Sequence, residues 1–442
     1  MGLRSFTFQY RAMEVDDGES AVQAPQNAAP VVEGTTRETV STEYLDAFAG
    51  IQSDPYDTTS WNILLEEVEK GNGGTASVVE TFTKFLKQFP RAARVYGRLA
   101  DYYCKNNNAA AAEELLSKEL SKLRHVDLWM QYLKIMKRQV AGDKDKGATA
   151  KEKADQQHMA RRAYESAFDR ALDNVGYSIE SGPIWKDYID FLRDYPEAQM
   201  DPTKKMAAVR RAYQRALSVP MEQLDALWKD YEAYEKIISE HHAKEILPDI
   251  QNKYLSAKAL FRERKRIVGR IFFDRQAVPS TRSRQEMEQL DLWNKWIRYE
   301  KGNPDNLPSE SLKEAMQMVY EQCLCCMRFH PEVWLSLAKF KIQGGRSCID
   351  DARLVFEEAI ETLPNVAFLR VAYSELEEHY GSNDKARDIL AAAFAQLPSG
   401  LTFSVLQRFI RRRDGIVAAR KFFSDTLPMR LDKKLGYEVN KK

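Results

Sequence analysis

All seven tryptophans of this 442-residue chain fall within one recurring pattern, and that constrains the fold more than any other feature. The pattern is an aromatic or apolar residue at i, i+3 and i+6, a break, then a second segment with small residues around an aromatic, closed by proline. It is most legible at 206–235, MAAVRRAYQRALSVPMEQLDALWKDYEAYE. Met206, Val209, Tyr213, Ala216 and Leu217 follow three- and four-residue steps, which puts them on one helical face. Pro220 has no N–H to donate and biases Val219 away from helical angles, so 218–223 must connect two helices. The second helix carries Leu227, Trp228, Tyr231 and Tyr234 on its buried stripe. A helix pair that shares only one interface leaves core exposed on both sides, so neighbouring pairs are needed to finish it.

The rest of the chain supplies those neighbours. First helices are marked by Trp61 with Leu64, Tyr96 with Leu99, Trp129 with Tyr132, Trp185 with Tyr188 and Phe191, and Trp228 with Tyr231 and Tyr234. Trp293 with Trp296 and Tyr299, Trp334 with Leu337 and Phe340, a degenerate Arg370 with Tyr373 and Leu376, and Phe403 with Leu406 and Phe409 complete nine units. In the second helices, Arg161, Arg210, Arg353, Arg387 and Arg420 each precede a packing position by three residues. Successive first-helix markers are 35, 33, 56, 43, 65, 41, 36 and 33 residues apart, a unit near 34 with three insertions. This period predicts an all-α fold, a right-handed α-solenoid of about nine helix-turn-helix repeats in two arrays.

Charge bounds the function. With 66 basic and 65 acidic residues the formal net charge is +1, which argues against wholesale coating of nucleic acid. Charged residues at 30% on amphipathic helices suit a large solvated surface for protein partners. Five cysteines without paired spacing indicate a reducing compartment, and no run of 18 apolar residues exists to span a membrane.

Composition divides the chain. Residues 1–54 read as a disordered tail, because 14–36 is rich in Ala, Pro, Gln, Glu and Gly and cannot offset the entropy of ordering. Residues 55–275 form an N-terminal array of repeats one to five, with a Lys-rich loop at 137–156. A linker follows at 276–288, and 289–442 holds repeats six to nine and the start of a tenth. Running into the linker, 253–284 carries ten basic residues against Glu263 and Asp274. Its cations Lys253, Lys258, Arg262, Arg264, Lys265, Arg266 and Arg270 are candidate contacts for an acidic partner or RNA phosphate, beside the plainer reading of a solvated helix face.

No catalytic, cofactor or metal constellation emerges. Cys323, Cys325, Cys326 and His330 read as lying on the second helix of repeat six with no second ligand pair, so a buried thiol fits Cys323 better than zinc. The glycines at 71–74 and 344–345 precede no Lys-Ser or Lys-Thr, so they form no phosphate loop. The aromatics have helical spacing, which makes them core. The expected repeat core is Trp61, Trp129, Trp185, Tyr188, Trp228, Tyr231, Trp293, Trp296 and Trp334.

A tetratricopeptide unit wants Leu-Gly after its Trp, and no unit here has that Gly. The endings Tyr234-Glu235, Tyr299-Glu300 and Leu376-Glu377 instead resemble the HAT (half-a-TPR) repeat. The segments FLKQFPRAARVY (85–96), HVDLWMQYL (125–133), IWKDYIDFL (184–192), 208–235, LDLWNKWIRYEKGNP (290–304) and HPEVWLSLAKF (330–340) resemble the suppressor-of-forked family, large HAT subunits of the cleavage stimulation factor. The resemblance covers roughly 55–430. It implies a nuclear, non-catalytic scaffold of pre-mRNA 3′-end cleavage and polyadenylation, which meets mRNA mainly through other subunits. The partners it implies are an RNA-recognition-motif subunit, a WD-repeat subunit and the polyadenylation specificity factor, with homodimerisation through the C-terminal array. The family's last repeats and its hinge, where the RNA-recognition subunit docks, have no counterpart in these 442 residues. The alternatives are a HAT scaffold of the spliceosome, or a direct RNA binder through 253–284.

Overall fold

The computed structural model describes residues 41–71, 77–120, 122–141, 150–196, 201–345 and 348–426. Their regular structure is all helix, with no strand among them. A first helix, α1 (Thr42–Ser53), precedes nine pairs. The first five are α2 (Thr58–Glu69) with α3 (Val78–Gln88), α4 (Ala93–Lys105) with α5 (Ala109–Glu119), α6 (Val126–Ala141) with α7 (Ala150–Val175), α8 (Gly182–Arg193) with α9 (Pro202–Ala216), and α10 (Leu224–Ile238) with α11 (Glu240–Val268). The next three are α12 (Arg284–Lys301) with α13 (Ser309–Met327), α14 (Pro331–Gln343) with α15 (Ile349–Thr362), and α16 (Ala367–His379) with α17 (Asn383–Gln396). The ninth pair lies within α18 (Gly400–Thr426), where Gly415 at φ 88° and ψ 177° breaks the helix in two. Each sequence unit therefore occupies one helix pair, and the chain is a helical-repeat solenoid.

Three boundaries differ from the sequence reading. The tail expected over 1–54 is shorter, because 42–53 is helical. Ser41 accepts from Tyr44 N (3.0 Å) and donates to Glu67 Oε2 (2.8 Å), while Ala47 is buried against the core. A Cβ at Gly50 would overlap Ser60 Oγ, so α1 lies tight on α2. The rest of the expected tail, 1–40, lies outside the described residues. The loop expected at 137–156 is helical at 137–141 and at 150–156, and 142–149 lies outside the described residues.

The linker expected at 276–288 is displaced to 269–283. Ser283 caps α12 by accepting from Glu286 N (3.3 Å), and Glu286 reaches back to accept from Thr281 N (3.1 Å), a variant of the capping box. Glu286 also meets His330 Nε2 at 2.8 Å, both side chains buried, which ties this connection to the α13–α14 turn.

The apolar core follows the same division. One cluster runs from Ala47 to Ala257, a second takes Val268 to Leu369 together with Ile179, and smaller ones serve the last repeats. The turns of repeats one to three also meet repeats six and seven. Arg91 Nη1 and Nη2 hold Glu321 (2.5 Å) and Glu358 (2.6 Å), and its guanidinium lies 5.7 Å from the Trp334 ring centroid. Beside it Arg124 pairs with Glu314 (2.5 Å), Arg94 with Asp274 (2.7 Å), and Tyr56 meets Phe329 edge-on at 5.5 Å.

Candidate functional site

Two kinds of side chain hold the repeats. The first is the marker that opens each first helix. Trp61 Nε1 donates to the Pro55 carbonyl (2.9 Å), Tyr96 Oη to Pro90 (3.4 Å), Trp334 Nε1 to Arg328 (2.6 Å) and Arg370 Nη2 to Pro364 (3.3 Å). Every acceptor lies six residues upstream, in the preceding turn. The arginine that replaces an aromatic in repeat eight therefore keeps the same hydrogen bond. Trp185 reaches the Gly176 carbonyl at 3.1 Å. Of the expected core positions, Trp61, Trp129, Trp185, Tyr231, Trp293, Trp296 and Trp334 are buried. Tyr188 and Trp228 are half-buried, Trp228 stacking on Tyr254 with centroids 5.0 Å apart.

The second is an arginine of one second helix gripping an acid of the next first helix. Arg210 binds Glu235 through Nε and Nη2, both at 2.7 Å. Arg353 binds Glu377 at 2.8 and 2.7 Å, and Arg387 Nη2 meets Asp414 at 2.7 Å. Arg264 binds Glu300 through two bonds of 2.6 Å and Asp305 through a third of 2.8 Å. Glu235, Glu300 and Glu377 are all buried. Such paired, desolvated bonds fix register strongly because removing one partner strands the other charge. Burial alone would raise the Glu377 carboxyl, but hydrogen bonds from Arg353 and Lys385 outweigh it and hold it below its ordinary range.

This ladder corrects the reading of the basic segment. Arg264 is 4% exposed and engaged through Nε and Nη2 in a repeat-to-repeat grip, so it is no surface contact. Lys258 is held by Asp225 (2.7 Å), and Lys265 meets Glu222 at 3.4 Å. Lys253, Arg262, Arg266 and Arg270 are exposed and meet no carboxylate among the described residues. Arg262 and Arg266, four residues apart on α11, share one face.

The cysteine cluster is core. Cys323 and Cys326 are buried, and burial pushes the Cys323 thiol well above its ordinary value. His330 is taken by Glu286. Among the described residues no group of three or more His, Cys, Asp or Glu is placed to hold a metal ion, and no helix is long and apolar enough to cross a membrane.

A family model described as suppressor of forked protein (Suf) matches residues 44–440. The chain belongs to this family. The cleavage stimulation factor subunit 77 of Arabidopsis thaliana is 31% identical over 351 residues, covering 79% of this chain and 46% of that protein. The protein suppressor of forked of Drosophila melanogaster is 26% identical over 428 residues, covering 84% and 53%. The mRNA 3′-end-processing protein rna14 of Schizosaccharomyces pombe is 26% identical over 351 residues, covering 78% and 45%. The chain thus spans about half the length of these family members. Among solved structures, the crystal structure of CstF-77 matches 76% of this chain and 65% of that one, with a TM-score of 0.55 at 17% identity, a likeness of fold.

Proposed function

We propose that this chain is a non-catalytic scaffold of the pre-mRNA 3′-end cleavage and polyadenylation machinery. The observation that carries the reading is the family match across 44–440, joined to an architecture of repeats whose buried groups are spent on holding one another. The relatives are named for cleavage stimulation and mRNA 3′-end processing, which weighs against the spliceosome reading. The scaffold acts by holding separate subunits in fixed geometry, so that weak contacts combine into one avid assembly. The repeats before and after the 269–283 connection act as two arrays. The family's role brings with it the nucleus, homodimerisation through the later array, and contacts to the polyadenylation specificity factor and to RNA-recognition and WD-repeat subunits.

An extract that cleaves and polyadenylates a radiolabelled pre-mRNA tests this. Added in excess, the purified chain sequesters partners and lowers cleavage in proportion to its concentration. Cleavage that stays constant while splicing of a control transcript falls contradicts the reading.

A second reading rests on Lys253, Arg262, Arg266 and Arg270, which form no ion pair among the described residues and suit direct contact with RNA phosphate. The double variant Arg262→Glu/Arg266→Glu, with Arg264 left intact, abolishes any salt-sensitive RNA affinity on this reading. Unchanged affinity assigns these residues to a solvated face.

A further inference from the structure

A cleft of about 420 Å³ opens where α7, α8, α9 and α11 converge on the loop between α12 and α13. Arg211 and Arg215 line it from successive turns of α9, and Lys253 lines it from α11. All three are exposed, and none forms an ion pair among the described residues. Asp169 of α7 lies close enough to feel Arg215 but does not pair with it. The one carboxylate in the lining, Asp305, is already held by Arg264 at 2.8 Å. The cleft is therefore a net cationic site whose positive charge nothing in its lining neutralises.

The remaining lining separates two kinds of anionic ligand. Trp185 is 2% exposed and has the Arg215 guanidinium 5.4 Å from its ring centroid, which leaves the half-buried Tyr177 as the one aromatic of the lining open to a ligand, and a single ring is no platform for a run of stacked bases. Leu307 and the ring of Tyr177, both half-buried, make an apolar floor, with the covered Leu172 and Val219 behind them. Three clustered cations above such a floor fit a short ligand that alternates carboxylates with apolar side chains. A continuous phosphate backbone needs a longer basic track.

We propose that this cleft binds an acidic peptide segment of a protein partner, with carboxylates on Arg211, Arg215 and Lys253 and an apolar side chain against the floor. The site is independent of the family's role, because it rests on the cleft alone. It predicts an affinity that weakens with salt, since the cations are exposed to screening.

The test is fluorescence anisotropy of the whole chain with a fluorescein-labelled peptide, Glu-Glu-Phe-Glu-Glu-Leu-Glu-Glu, beside a labelled single-stranded uridine octamer. The peptide binds, and Arg211→Ala/Lys253→Ala weakens it by about tenfold or more, as expected for two charge-assisted contacts. Arg408→Ala/Arg411→Ala, in repeat nine, leaves it unchanged. Both double variants melt like the parent by circular dichroism, because they alter exposed side chains. Arg215→Gln alone gives a smaller loss. The proposal is overturned by absence of peptide binding at low salt, by binding that Arg211→Ala/Lys253→Ala does not weaken, or by tighter binding of the octamer that the same variant removes.

Discussion

Individual residues show why the basic segment misled a reading of sequence alone. Arg264 and Arg266 are two positions apart and chemically identical, yet one is 4% exposed between Glu300 and Asp305 and the other faces solvent. Replacing Arg264 by alanine leaves two buried carboxylates without their cation, which costs about 3–5 kcal/mol. Arg266→Ala changes stability by less than about 0.5 kcal/mol. Urea denaturation followed by circular dichroism separates the two, and equal midpoints would contradict the ladder. The sequence displayed both halves of this grip, the second-helix arginines and the Tyr-Glu endings. What it lacked was the pairing, because partners lie 24 to 36 residues apart on different repeats and no spacing rule joins them. Arg370 was likewise visible only as a defect in the pattern. Arg370→Leu removes a buried donor to Pro364 and costs about 1–3 kcal/mol, and Arg370→Trp, which restores an indole N–H, recovers part of that in the same assay.

Among elements, the helices that sequence identified were those with aromatic markers, and the ones it misjudged were held by caps and close packing. Thr42–Ser53 has its apolar stripe in Tyr44, Ala47 and Ile51, but its sequence neighbours are polar and its stability comes from lying on α2. The start of α12 has Ser283 and Glu286 in capping-box spacing, and the linker read from composition at 276–288 runs across both. The break in α18 depends on one residue. At φ 88° and ψ 177°, Gly415 occupies a region essentially closed to other residues, and a Cβ there would meet nothing within 4 Å. Gly415→Ala therefore costs about 1–3 kcal/mol through backbone strain alone, read as a lower melting temperature. A neutral substitution would mean that the break lies elsewhere. One helix-to-helix grip, that of Glu377, also makes stability depend on acid. The Glu377 carboxyl is depressed in the fold, so its contribution is fully present above the ordinary carboxylate range and is lost as pH falls through the folded value. Glu377→Gln lowers stability at neutral pH and flattens the decline below about pH 4. An unaltered acid profile would assign acid sensitivity to other groups.

For the molecule as a whole, local periodicity settles the repeats but not which distant repeats touch. The contact of repeat two with repeats six and seven turns on Arg91, whose partners are more than 200 residues away. Arg91→Glu sets a third carboxylate against Glu321 and Glu358 and separates these repeats. Small-angle scattering should then report a larger radius of gyration with unchanged helix content, and an unchanged radius would show that apolar contacts such as Tyr56 on Phe329 suffice. The proposed function rests on the same whole-chain organisation, a solenoid of the suppressor-of-forked family. The most direct test is light scattering coupled to gel filtration of the purified chain mixed with purified polyadenylation specificity factor. One species whose mass equals the sum of both components is the predicted result. Separate elution of the two at every concentration and at low salt would contradict a scaffold of the 3′-end machinery.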